Sequence, residues 1–127
     1  MLDGDTIDVL HQGAAVRVRL TGIDCPEKRQ AFGTRAKQVA SGIVFNKEVT
    51  IRTAGGDRYG RTLGEVLLPG GISLNRTLVR EGFAWWYWKY SSDASLGELE
   101  KEARAARRGL WADPSPVAPW DFRRSRR

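Results

Sequence analysis

Short runs of alternating apolar and polar residues, cut by glycine turns, constrain this chain more than anything else in it. From Val16 to Thr21, Val16, Val18 and Leu20 alternate with Arg17, Arg19 and Thr21, the period-two pattern of a strand with one buried face. Thr6 to Leu10 precedes that run across a turn at Gly13, so the pair reads as a hairpin. Glu48 to Thr53 alternates again, with Val49 and Ile51 on one face. After a break at Gly55-Gly56, Thr62 to Leu68 reads as its partner. Pro69-Gly70-Gly71 then turns the chain into a short run at Ile72 and Ser73. Five such runs, with helical stretches between and after them, predict an α+β fold in which helices pack on a small closed barrel.

The helical stretches carry their own signals. From about Ala31 to Phe45 the sequence is Ala-rich, with Val39, Ile43 and Val44 at contact positions. Leu74 to Glu81 reads as a brief helix stopped by Gly82. Ser95 with Glu98 three residues later predicts a capping box. Leu96, Leu99, Ala103 and Ala106 then form one stripe that ends at Gly109. Prolines at 114, 116 and 119 read as an extended tail, so residues 1–112 form the expected domain and 113–127 a flexible Pro- and Arg-rich end.

At 127 residues the chain holds one domain with a core of its own. Cys25 is the only cysteine and His11 the only histidine, which excludes an internal disulfide and a zinc site built from several His or Cys ligands. A Ser-His-Asp triad would have to use His11, which reads as part of the hairpin loop beside Gln12 and Gly13. The chemistry must therefore run on carboxylates and arginines, with or without a bound hard cation. No apolar run approaches the roughly 20 residues that span a bilayer, and no charged-then-apolar leader opens the chain. The net charge is +6, but Arg123, Arg124, Arg126 and Arg127 account for four of those charges. That end reads either as a solvated terminus or as a sequence-blind electrostatic hook for nucleic acid, placed away from the active site.

Three clusters carry chemistry. Asp3-Gly4-Asp5-Thr6 leads into Ile7 and Val9, and Asp5 shares their inward face; a buried carboxylate there needs a cation or donors to compensate it. Arg19-Leu20-Thr21-Gly22-Ile23-Asp24-Cys25-Pro26-Glu27 runs a strand into a loop with two acids three residues apart. Calcium takes six to eight oxygens from carboxylates, carbonyls and water; Asp24 suits that role, while Glu27 suits a facing water. Asp57-Arg58-Tyr59-Gly60-Arg61-Thr62-Leu63-Gly64 is a glycine-rich connection with two arginines, whose planar forks bind phosphate oxygens in pairs. Each cluster taken alone also has an ordinary reading as a turn or a solvated face.

Together the three clusters, with Leu74 to Gly82 and the closing Gly109-Leu110-Trp111, closely resemble the staphylococcal nuclease (thermonuclease) family in order and spacing, over roughly residues 3 to 111. The resemblance implies a five-stranded OB barrel with three helices, and a calcium-dependent nuclease acting on DNA, preferably single-stranded or locally open, and on RNA, with little sequence specificity. By the same resemblance Asp5, Asp24 and the backbone carbonyl of Cys25 hold calcium. Arg19 and Arg61 grip the scissile phosphate, and Glu27 serves as general base or water positioner. Arg58 and Tyr59 match contacts to the neighbouring phosphate, and Trp88 and Tyr90 match aromatic residues of the base pocket. Alternation in Trp85-Trp86-Tyr87-Trp88 predicts that every second ring is core.

A monomer and a secreted or extracytoplasmic location are further expectations from the resemblance. The family carries a longer first strand upstream of the position matching Asp3, which suggests a trimmed chain or a removed leader. The rival reading is a catalytically inactive, nucleic-acid-binding copy of the domain. Such copies lack several site residues, whereas Asp5, Arg19, Asp24, Glu27 and Arg61 are all present here.

Overall fold

The structure is a computed structural model that describes residues 3–125. Strands β1 (Thr6–His11) and β2 (Ala14–Leu20) form the expected hairpin, in register from Thr6↔Arg19 to His11↔Ala14. Its two-residue turn places both Gln12 (φ 52°) and Gly13 (φ 81°) in the left-handed region, the geometry that matches strand twist. After β3 (Ile23–Asp24) comes helix α1 (Gly33–Val44), then β4 (Thr50–Gly56) and β5 (Thr62–Leu67). The Gly55-Gly56 break is not a break: β4 runs through Gly56 with a register irregularity after Thr53, and the turn lies at 57–61. Helix α2 (Leu74–Arg80), strand β6 (Trp85–Trp86) and helix α3 (Ala94–Ala105) follow.

The sheet order is β1-β2-β5-β4, with β2 and β5 parallel at Val18↔Thr62 to Leu20↔Gly64, and β3 and β6 form a separate two-stranded sheet. The closed five-stranded barrel is thus not what the described residues build. β3 is only two residues long: the Cys25 N–H turns to Asp5 and Pro26 has no N–H to donate, and the strand pairs with short β6. β1 and β4 remain as unjoined edges, flanking an apolar groove lined by Val9, Val16, Val44, Phe45, Val49 and Ile51.

Inward residues of the strands meet the helices in one core: Ile7, Val18, Leu20, Ile23 and Val66 against Ala36, Ala40, Leu74, Leu78 and Leu96. Each large aliphatic side chain buried there contributes about 1.5–3 kcal/mol. Asn75 is a polar residue buried beside this core. Its Oδ1 accepts from the Val66 N–H at 3.1 Å, and its Nδ2 donates to the carbonyls of Thr21 (2.9 Å) and Gly64 (3.3 Å). It thereby clamps the parallel β2–β5 pair to α2. Gly82 ends α2 as expected, with φ 84° and no room for a side chain: a Cβ would lie 2.2 Å from the Arg108 carbonyl.

The capping box does not form. Asp93 caps α3, accepting from the Ser95 N–H at 3.0 Å, while Glu98 reaches forward to Lys101. Nor are residues 113–125 a free extended tail. They carry a fourth helix, α4 (Pro119–Ser125), and Ala118 and Pro119 are buried. A second apolar cluster holds the segment down, with Trp85, Ala103, Leu110, Trp111 and Ala118 at its centre and Phe32 and Trp120 beside them. The physical reason is the ring surface of Trp85 and Trp111, which the Ala118–Trp120 stretch covers. Among the described residues no helix is long and apolar enough to cross a membrane.

Candidate active site

Asp5 closes the turn into β1, and Asp24 ends β3. Both are buried, at 4% and 1% exposure. The Cys25 N–H donates to Asp5 Oδ2 at 2.8 Å, which fixes the end of β3 against the start of β1. Arg19, on β2 opposite Thr6, donates through Nη1 to the carbonyls of Leu20 and Ile23. Its Nη2 stands 3.6 Å from Asp5 Oδ2 and 3.6 Å from Asp24 Oδ1. The two carboxylates therefore converge on one point. Burial pushes the Asp24 carboxyl up to about 6, Arg123 pulling against that shift and Asp5 adding to it. The Cys25 thiol is driven well up by burial first and by Asp5 next, so it stays protonated and chemically idle.

Glu27 sits on the loop after Pro26. Its N–H donates to Gln30 Oε1 at 3.0 Å, and the loop lies hard against the first turn of α1. A Cβ on Gly33 would meet the Glu27 carbonyl oxygen at 1.8 Å, so only glycine lets the loop pass there. Glu27 and Asp24 are joined by Arg123 of α4. Arg123 Nη2 lies 2.7 Å from Asp24 Oδ2, and Nη1 lies 3.3 Å from Asp24 Oδ1 and 3.2 Å from Glu27 Oε2. Nη2 also donates to the Tyr87 hydroxyl at 3.2 Å.

The structure thus brings Asp5, Arg19, Asp24, Cys25 and Glu27 into one cluster. Arg61 is held apart from the carboxylates: its Nε donates to Asp57 Oδ2 at 2.7 Å, and its N–H to Asp57 Oδ1 at 2.9 Å. Burial works against the Asp57 charge, but these bonds and one from the Tyr59 N–H keep its carboxyl below the ordinary range. Arg61 stands just before Thr62, the partner of Val18, so the parallel register puts it at the level of Arg17, with Leu63 opposite Arg19. Arg58 and Tyr59 occupy the exposed turn, where Arg58 Nη2 donates to the Tyr59 hydroxyl at 2.8 Å. Trp88 and Tyr90 are exposed, at 56% and 77%. Alternation does not govern the aromatic run, since only Trp85 and Trp86 are strand.

Three residues near the cluster escape the sequence reading. Tyr87 stacks on Trp120 with centroids 5.3 Å apart and touches Tyr90 edge-on at 4.8 Å. Asp3 lies close enough that burial first, then Asp5 and Glu27, push its carboxyl upward. Arg123 was expected far from the motifs, yet it reaches their centre. Pro119 at the first helical position with Asp121 in the first turn was the available signal for α4. Arg126 and Arg127, expected to share in the basic hook, lie outside the described residues.

Converging buried carboxylates, with arginines and an acid-bearing loop beside them, are the parts a phosphodiester hydrolase needs. The profile of the family described as Staphylococcal nuclease homologue matches residues 17–113. The chain is 46% identical over 123 residues to the Escherichia coli O157:H7 protein named Uncharacterized endonuclease, spanning 97% of this chain and 80% of that one. It is 48% identical over 135 aligned residues to Micrococcal nuclease of Shigella flexneri, 98% of this chain and 78% of that one. Staphylococcal-like nuclease CAN1 of Arabidopsis thaliana is 36% identical over 111 residues, 87% of this chain and 34% of that one. The chain belongs to the staphylococcal nuclease family. Its fold is therefore of the OB type, and it is a nuclease, a hydrolase whose substrates are nucleic acids. With all but a few residues aligned to the Escherichia coli protein, the similarity runs on past residue 113 into the segment that carries α4.

Proposed function

We propose that this protein is a calcium-dependent nuclease that hydrolyses phosphodiester bonds of single-stranded or locally open DNA, and of RNA, with little sequence preference. The observation that carries the reading is the convergence of buried Asp5 and Asp24 on one point beside the Glu27 loop. Three acids, Asp5, Asp24 and Glu27, meet two guanidiniums, Arg19 and Arg123, so the cluster is short of positive charge, and a hard divalent cation is what oxygen donors of this kind accept. Among the described residues no group of three or more His, Cys, Asp or Glu could hold a metal alone. Asp5, Asp24 and the Cys25 carbonyl would hold the ion, with water and a phosphate oxygen of the substrate completing its six to eight oxygens. So lean a donor set predicts weak binding, on the order of 10⁻⁴ to 10⁻³ M.

Bound there, calcium supplies a Lewis acid and template for the phosphate. Arg19 and Arg61 hold the scissile phosphate and stabilise the charge that grows on its oxygens in the transition state; losing one such donor typically costs about 100- to 1000-fold. Glu27 orients the attacking water and takes its proton, a role worth roughly 100- to 10,000-fold. Arg58 and Tyr59 accept the neighbouring phosphate, and exposed Trp88 and Tyr90 offer ring faces to bases. Stacking of that kind requires unpaired bases and tolerates any of them, which supports open substrates and low specificity. One chain carries every residue of the cluster, so a monomer suffices. The inactive-copy reading is disfavoured because none of Asp5, Arg19, Asp24, Glu27 and Arg61 is missing.

Purified protein incubated with single-stranded DNA should cut it in calcium and stop when a chelator is added in excess. Undiminished cutting in the chelator would rule the proposal out.

A further inference from the structure

The cation that Asp24 and Glu27 hold in this structure is a guanidinium. Arg123 binds both oxygens of Asp24, Oδ2 at 2.7 Å and Oδ1 at 3.3 Å, and also takes Glu27 Oε2 at 3.2 Å. Arg19 adds a second contact to Asp24 Oδ1 at 3.6 Å. Neither oxygen of Asp24 is left uncommitted. The Tyr87 hydroxyl accepts from Arg123 Nη2 and so holds the fork in place.

We infer that Arg123 is a tethered counter-cation that competes with the metal for Asp24 and Glu27, which makes α4 a gate on the active site. The inference rests on the proposed calcium site and goes beyond it by assigning the C-terminal segment a role. A divalent cation cannot share Asp24 with a guanidinium held bidentate at 2.7 Å, because the two positive charges would stand within a few ångströms of each other in a largely buried place. Metal entry therefore requires Arg123 to let go.

The segment is built for that. Its root is fixed: Ala118 and Pro119 are buried, Trp120 stacks on Tyr87 and meets Trp85 edge-on at 5.5 Å, and Gln30 donates to the Val117 carbonyl. Its far end is lightly held. Arg124 and Ser125 are exposed, and among the described residues Arg124 pairs within the helix, with Asp121. The Arg123 side chain itself is 37% exposed, so it can swing to water without unmaking the core. With the metal absent, Arg123 keeps Asp24 and Glu27 paired. With the metal and substrate present, the released guanidinium stands beside a site that takes a polyanion.

The test is calcium titration by calorimetry on the full-length protein without nucleic acid, comparing wild type with Arg123→Gln, Tyr87→Phe and Asp24→Asn. Loss of a charge-assisted bidentate contact should make Arg123→Gln bind calcium about tenfold more tightly or better, a change of about 1.4 kcal/mol. Tyr87→Phe, which only loosens the hold on Arg123, should tighten binding by a few-fold and answers the question even if Arg123→Gln folds poorly. Unchanged or weaker affinity in both variants, with binding still abolished by Asp24→Asn, overturns the gate and leaves the calcium site standing. No calcium binding in any variant overturns both.

Discussion

Arg19 does structural and chemical work with one guanidinium: Nη1 braces the carbonyls of Leu20 and Ile23, and Nη2 faces both buried acids. Replacing it would disturb fold and chemistry together. Glu27 separates them better, because its N–H bond to Gln30 is a backbone contact that survives any side-chain change, and its carboxylate is part-exposed. Glu27→Gln keeps shape and removes the proton acceptor. Turnover should fall by roughly 100- to 10,000-fold, while affinity for a nucleotide inhibitor changes little. Cutting at the wild-type rate would remove Glu27 from the mechanism while leaving the fold untouched.

At the scale of elements, the cap of α3 shows how a local rule is satisfied by the wrong-looking residue. Ser95 and Glu98 have the spacing of a capping box, but Asp93 two residues earlier accepts from both the Ser95 N–H and its hydroxyl. The hydroxyl bond above all, with the N–H bond and Arg76 behind it, holds the Asp93 carboxyl below its ordinary value of 3.8 against the opposing effect of burial. A depressed acid stabilises the fold above its unfolded-state pKa, and that contribution fades as pH falls through the lower folded value. Asp93→Ala should therefore cost about 1 kcal/mol near neutral pH. In urea melts the wild-type and variant midpoints should converge in acid. A difference that persists undiminished at low pH would mean the cap does not act through its charge.

For the molecule as a whole, the C-terminal segment is the part that changes meaning once folded. It covers Trp85 and Trp111, whose rings lie 4.5 Å apart with Arg104 stacked 4.1 Å from Trp111. Removing residues 113–127 would expose those rings and Phe32 along with the lost Ala118, Pro119 and Trp120 contacts. The truncated chain should lose at least about 2 kcal/mol of stability, with a lower denaturation midpoint measured in urea. An unchanged midpoint would return the segment to the status of a solvated end. The earlier expectation that this end leaves the active site alone fails for a geometric reason: Arg123 is remote from Asp24 in sequence and 2.7 Å from it in space.

The sequence by itself determined the elements whose cause is local. Alternation in Val16 to Thr21 placed β2, the Gly13 turn made the hairpin, and Gly82 stopped α2, because each depends on neighbours a few residues away. Asp5, Arg19, Asp24 and Glu27 were legible as a set because their residue types and spacing match a known family, and the fold brings them together. Tertiary structure alone decided the rest. Sheet order depends on which edges meet, so two short strands left the main sheet and no closed barrel formed. Arg61 is legible as a phosphate-binding arginine, but the Asp57 carboxylate that takes its Nε is a partner only the folded turn reveals. Proline spacing after Trp111 suggested an extended tail, since no local pattern announces that exposed tryptophan rings await cover. Burial of those rings is what folds α4 back and carries Arg123 onto Asp24 and Glu27.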